Sequence, residues 1–133
     1  MKKIVLGIGA SVLLFGGAVA VVQAQSGEDS AVQSESTLTY TTIEQDVANG
    51  ALLLDVRTPE EYAAGHFAGA ELLPVQNIEQ GILPPVEKDT TIYVYCRSGN
   101  RSAAATKALQ DAGYTSIVDL GGLSDVQKIG GTL

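Results

Sequence analysis

The sequence predicts an α/β domain built on a five-stranded, mainly parallel sheet with helices on both faces. Three observations lead there. Short β-type runs alternate with helical runs from Leu38 to Leu120. Two of those runs, Ala51 to Val56 and Thr91 to Tyr95, are continuously apolar, as strands buried on both faces of a parallel sheet are. Helical runs also carry start and stop residues at the right ends, which places a crossover between successive strands.

Taken in order, Leu38 to Thr41 reads as a first strand. Thr42 then caps a helix through Asn49, with Gln45 at the capping-box position and Gly50 ending it. Ala51 to Val56 is the second strand. Thr58 caps Pro59 to Ala64, where proline takes the first helical position, Glu60 and Glu61 favour the positive end of the helix dipole, and Gly65 stops the helix. Glu71 to Leu73 is a short third strand, and Val75 to Ile82 one or two helical turns before Pro84 and Pro85. Thr91 to Tyr95 is the fourth strand. Ser102 to Ala112 is the clearest helix, with Ala104, Ala105, Ala108, Leu109 and Ala112 on one apolar stripe and Gly113 as its C-terminal cap. Ser116 to Leu120 closes the sheet as a fifth strand.

The N-terminus speaks to the compartment. Lys2 and Lys3 precede an uncharged stretch of 19 residues, Ile4 to Val22, and Val22-Gln23-Ala24 has small residues where a signal peptidase cuts. Residues 1–24 read as a bacterial-type secretory signal; the same stretch is also long enough for an uncleaved membrane anchor. In both cases the remainder lies outside the inner membrane, periplasmic or otherwise exported. Residues 25–37 are polar, acidic and Ser-rich, a flexible linker to a domain over 38–133.

Without residues 1–24 the chain keeps 6 basic against 15 acidic side chains, so its formal charge moves from −7 to −9. That excludes nucleic acid and anionic lipid as natural partners of the domain. One cysteine forms no internal disulfide, and one cysteine with one histidine makes no structural zinc site; no metal or cofactor is expected.

Chemistry concentrates at Cys96. It follows the apolar run Thr91 to Tyr95 and precedes Arg97-Ser98-Gly99-Asn100-Arg101, which leads into the helix at Ser102. A thiol at a strand-to-helix turn faces several backbone N–H groups and the positive end of a helix dipole, which lowers its pKa. It also lies beyond the C-terminal end of a strand, where parallel sheets bind ligands. The competing reading is a free core cysteine. The three arginines, Arg57, Arg97 and Arg101, all sit near these turns, and two guanidinium groups beside the thiol would form a cationic mouth for a small oxyanion. Arg57 or Arg101 could instead be an ion-pair strut for the loop. The thiolate is expected to be exposed and oxidisable.

The segment Leu53-Leu54-Asp55-Val56-Arg57-Thr58-Pro59-Glu60-Glu61-Tyr62, then Gly65-His66-Phe67-Ala68-Gly69-Ala70, the loop Cys96-Arg97-Ser98-Gly99-Asn100-Arg101-Ser102, and Gly113-Tyr114 with Gly121-Gly122-Leu123 together resemble a single-domain rhodanese, nearest the small periplasmic phage-shock type. The resemblance spans about residues 38–127. Ala68 departs from the proline of many members, no tryptophan follows Gly122, and the terminal helix of larger members must be short or absent. The resemblance implies a rhodanese-like sheet and a thiosulfate sulfurtransferase. Cys96 would take a sulfane sulfur from a small anionic donor such as thiosulfate, hold it as a persulfide, and pass it to cyanide or a thiol. Arg97, Ser98, Gly99, Asn100, Arg101 and Ser102 would bind substrate, with Asp55 and Arg57 in support and the domain acting as a monomer.

Four residues separate Cys96 from Arg101, one fewer than in the phosphatase relatives of the fold, so sulfur transfer is favoured over phosphoryl transfer. A noncatalytic binding or interaction module of the same fold is the alternative from another class. Asp55 more readily fixes the following turn, and His66 a turn of its own, than either does chemistry. The sequon Asn100-Arg101-Ser102 lies in the loop itself and is set aside.

Overall fold

The computed structural model describes residues 37–133. The expected signal or anchor and residues 25–36 of the expected linker lie outside the described residues. Among the described residues, no helix is long and apolar enough to cross a membrane.

The elements are α1 (Tyr40–Ala48), β1 (Leu52–Asp55), α2 (Pro59–Ala64), β2 (Ala70–Leu72), α3 (Val75–Glu79), β3 (Ile92–Tyr95), α4 (Asn100–Asp111), β4 (Ile117–Gly121) and α5 (Leu123–Lys128). The strands form one sheet in the order β2-β1-β3-β4, with every neighbouring pair parallel. Its two central strands are the two continuously apolar runs, and every residue of both is buried. The edge strands β2 and β4 are only partly covered.

Because side chains alternate across a strand, each apolar run feeds two cores. Leu52, Leu54, Val56, Ile92, Val94 and Cys96 pack with Val75 and Ile78 of α3 and Ala105 and Leu109 of α4. Leu53, Tyr93 and Tyr95 pack on the other side with Tyr40 and Ile43 of α1, Phe67, and Val126 of α5. Burying each large aliphatic side chain contributes roughly 1.5–3 kcal/mol, so both helical layers are held by the same two strands. Since all strands run one way, the turns after β1, β3 and β4 open at the same edge of the sheet. That edge carries the site.

The expected strand over 38–41 is not found, and the sheet has four strands among the described residues rather than five. Thr39, not Thr42, caps α1, its hydroxyl accepting the N–H of Thr42 at 3.2 Å. Tyr40 begins the helix because its ring is buried against Phe67, its hydroxyl donates to Ala68 O at 2.7 Å and its N–H to Ile129 O at 2.7 Å. These three long-range contacts outweigh the β preference of Leu-Thr-Tyr-Thr. Likewise α4 begins at Asn100, two residues before the expected start, and Ala104 of the expected stripe is exposed while Ser102 is buried.

Candidate active site

Chain polarity brings Cys96, one residue past β3, to the C-terminal edge. Its N–H donates to Gly121 O at 2.9 Å, anchoring the residue to β4. The chain then doubles back. Gly99 takes φ +102°, a left-handed conformation that a side chain disfavours, and its N–H comes to 2.9 Å from Cys96 Sγ. The turn after β4 forms the floor beneath the loop: Leu123 N–H donates to Arg97 O at 3.1 Å, and Ser98 bridges Gly122. A Cβ on Gly122 would lie 2.7 Å from Arg97 O and 3.0 Å from Ser98 Cα, so this position must be glycine for the loop to sit where it does.

Cys96 is buried, contrary to the exposed thiolate expected from sequence, because its side chain belongs to the α4-side core and the loop closes over it. Burial pushes its pKa up. The backbone N–H and hydroxyl of Ser102 and the N–H groups of Gly99 and Ser98 push it down and prevail, leaving the thiol below its ordinary value. The Ser102 hydroxyl has one proton, and it donates to Gly99 O at 2.9 Å. The amides therefore carry the greater part of the thiolate's stabilisation.

Asp55 and Arg57 form a buried strut behind the loop. Arg57 Nε donates to Asp55 Oδ1 at 2.9 Å, Nη2 to Asp55 Oδ2 at 2.5 Å and to Gly65 O at 2.7 Å. Tyr95 Oη donates to Asp55 Oδ2 at 2.8 Å and accepts the Phe67 N–H at 3.3 Å, while Arg57 lies 5.6 Å above the Tyr95 ring. The hydrogen bond to Asp55 raises the Arg57 pKa; burial raises that of Tyr95. Asp55 is thus held by Arg57 Nε and Nη2 and by Tyr95, and the network fixes the position of the Arg57 guanidinium behind the loop.

Of the two readings the sequence left for Arg101, part of a two-arginine mouth or an ion-pair strut, the geometry has the ion pair. Its Nη1 donates to Glu61 Oε2 at 2.6 Å and its Nη2 to Glu61 Oε1 at 2.9 Å. Glu61 simultaneously accepts the Thr58 N–H at 3.0 Å in the capping box of α2. The Arg101 hydrogen bonds, and then the Thr58 N–H, hold its carboxyl down at about 2. Arg97 is exposed and, among the described residues, joins no ion pair. Ser98 and Asn100 are exposed on the loop. His66 lies outside the cluster: its ring stacks on Tyr62 at 3.7 Å and Nδ1 is 2.9 Å from Tyr62 O. No group of three metal-ligating side chains converges among the described residues.

The site thus joins Cys96 with its loop, a floor from Gly121 and Gly122, and two struts. Sequence reasoning missed Glu61 and Tyr95 as site residues. Glu61 carried one signal, an acid at the capping-box position, which accounts for its place on α2 but not for a partner 40 residues away. Tyr95 carried none beyond its place in a strand.

Comparison with known proteins agrees with this geometry. The profile described as "Rhodanese-like domain" matches residues 39–128. The thiosulfate sulfurtransferase PspE of Escherichia coli is 38% identical over 74 residues, covering 55% of this chain and 71% of that protein. The solved structure of a rhodanese with anions from E. coli superposes with a TM-score of 0.52 at 37% identity, covering 56% of this chain and 89% of that one. A rhodanese-like domain from Anabaena gives 0.55 at 32% identity, covering 62% and 95%. The chain belongs to the rhodanese-like domain family and is homologous to thiosulfate sulfurtransferases.

Proposed function

We propose that the domain transfers sulfane sulfur through a persulfide on Cys96. The observation that carries this is the Gly99 N–H at 2.9 Å from Cys96 Sγ, in a loop whose amides lower the thiol's pKa with no histidine or carboxylate among the described residues hydrogen-bonded to it. In the first half-reaction the thiolate attacks the outer sulfur of thiosulfate: the Cys96 S–S bond forms, the S–S bond of the donor breaks, and sulfite leaves with the electron pair. In the second, cyanide or a thiolate attacks the terminal sulfur, and the pair returns to Cys96. Charge at sulfur is −1 in the thiolate and in the persulfide anion, so the same amides serve both states. Exposed Arg97 supplies attraction for the anionic donor.

The domain acts as a monomer, with no cofactor, and residues 1–24 export it as a cleaved signal or hold it as an anchor through the linker 25–37. In an oxidising compartment the persulfide is the protected resting form.

A thiosulfate:cyanide assay paired with intact mass tests the proposal. Thiosulfate treatment should add about 32 Da, one sulfur atom, which cyanide removes as thiocyanate forms. A protein that gains no cyanide-labile mass is a binding module instead.

A further inference from the structure

We infer that Glu61 determines donor specificity: by pairing with Arg101 it cancels one of the loop's two guanidinium charges and sets how strongly the mouth favours anions. The inference deepens the sulfur-transfer proposal and takes its substrates from it.

The pattern of cations singles out this pair. Among the described residues, Arg57, Lys107 and Lys128 are matched to Asp55, Asp111 and Asp125, and Lys88 lies over the Tyr114 ring at 3.8 Å. Of the two loop arginines, Arg97 has no carboxylate partner among the described residues and Arg101 has Glu61. The acid comes from the other motif altogether. Glu61 sits in the first turn of α2, where the capping box aims its carboxylate towards the start of α4, and one oxygen, Oε2, accepts both the Thr58 N–H and Arg101 Nη1. Cap and charge are separable functions. A glutamine caps a helix as well as a glutamate does, so the cap needs no negative charge, and to α2 that charge adds only the modest helix-dipole attraction that Glu60 in the same turn also supplies.

Nor is it there to rescue a buried charge. The two side chains are 30% and 26% exposed, and pairs this wet add little to stability. What remains is the field at the sulfur. The Cys96 thiolate contributes to raising the Arg101 pKa, so the two groups sense one another across the loop. With Glu61 in place, the positive charge of Arg101 is offset, and Arg97 supplies the larger part of the loop's own attraction for an arriving anion. Coulomb energy is linear in ligand charge, so cancelling Arg101 weakens a dianion by the square of the factor for a monoanion.

The test is Glu61→Gln, which keeps a capping carbonyl and removes only the charge. Alkylation of Cys96 by iodoacetate relative to iodoacetamide, at one pH, reads the mouth directly, because thiolate fraction and loop opening cancel in the ratio. The ratio should rise about threefold at low salt and fall back as salt is added. In steady state KM for thiosulfate should fall about tenfold and KM for the monoanion benzenethiosulfonate about threefold, with kcat unchanged. Glu60→Gln removes the same charge one residue away from a side chain in no ion pair, and should move the ratio far less. An unchanged ratio in Glu61→Gln, equal responses in the two variants, or equal shifts with both donors would overturn the assignment. If the wild-type protein forms no cyanide-labile adduct, sulfur transfer fails, and the alkylation ratio still decides the role of Glu61.

Discussion

Two arginine–carboxylate pairs stand behind and beside the same loop, and they obey different physics. Asp55–Arg57 is buried, with side chains 0% and 5% exposed; Arg57 Nε and Nη2 donate to Asp55 and Gly65, and Tyr95 Oη donates to the same carboxylate. Arg101–Glu61 is nearly as well formed geometrically, yet both partners stay wet. In the first pair neither charge can be left alone, because water is not there to take over. In the second, either charge can be removed at small cost, so that pair is free to set the electrostatics of the mouth. The lesson is that hydrogen-bond geometry alone does not say whether an ion pair serves the fold or the reaction. Solvent access does.

The largest expected effect separates chemistry from both pairs. Cys96→Ser should fold with its thermal midpoint little changed, since serine fits the volume, and produce no thiocyanate, since it cannot carry persulfide sulfur. Residual transfer by the purified variant would remove Cys96 from the mechanism. Next comes the buried pair. Asp55→Ala leaves Arg57 charged and without its carboxylate at a site that is 4% exposed, and should cost about 3–5 kcal/mol in denaturant unfolding. Against a typical domain stability of about 5–15 kcal/mol this is a large share. A loss under about 1 kcal/mol would erase the distinction between the two pairs.

A smaller effect belongs to the exposed Arg97. Arg97→Ala should raise KM for thiosulfate by about tenfold, leave KM for an uncharged donor nearly unchanged, and leave the unfolding midpoint where it is. Equal losses with both donors would mean that Arg97 shapes the loop rather than attracting the anion.

The smallest effect is the acid response of the exposed pair. The Glu61 carboxyl is held at about 2 against its ordinary 4.5, chiefly by the Arg101 hydrogen bonds and then by the Thr58 N–H. A depressed carboxyl contributes stability that is fully present above pH 4.5 and is lost as pH falls through about 2. Solvent screening of a pair this exposed limits the contribution to about 1 kcal/mol. Comparing wild type with Glu61→Gln from pH 5 to pH 2 should show the two stability curves converging at the acid end; parallel curves would place the charge coupling elsewhere.

Local patterns in the sequence determined much of this protein: the α/β class, the parallel sheet from two continuously apolar runs, the cap of α2 at Thr58, the turn at Gly99 and the position of Cys96 at a strand end. Each is encoded within a few residues, by hydrophobic period, by a capping side chain, or by a glycine where φ must be positive. The segment Leu38–Thr41 was misleading because its β preference is weak, and the burial of Tyr40 against Phe67 with bonds to Ala68 and Ile129 decides its conformation. Only the tertiary structure decided which arginine meets which carboxylate. Arg101 and Glu61 are 40 residues apart, as are Tyr95 and Asp55; the capping-box position sets Glu61 apart from Glu60 on α2, but no local signal names a partner so distant in the chain. Parallel strand polarity brings those turns to one edge of the sheet, and at that edge distance and solvent, which no run of residues encodes by itself, select a buried strut, a solvated pair and an exposed guanidinium that joins no ion pair among the described residues.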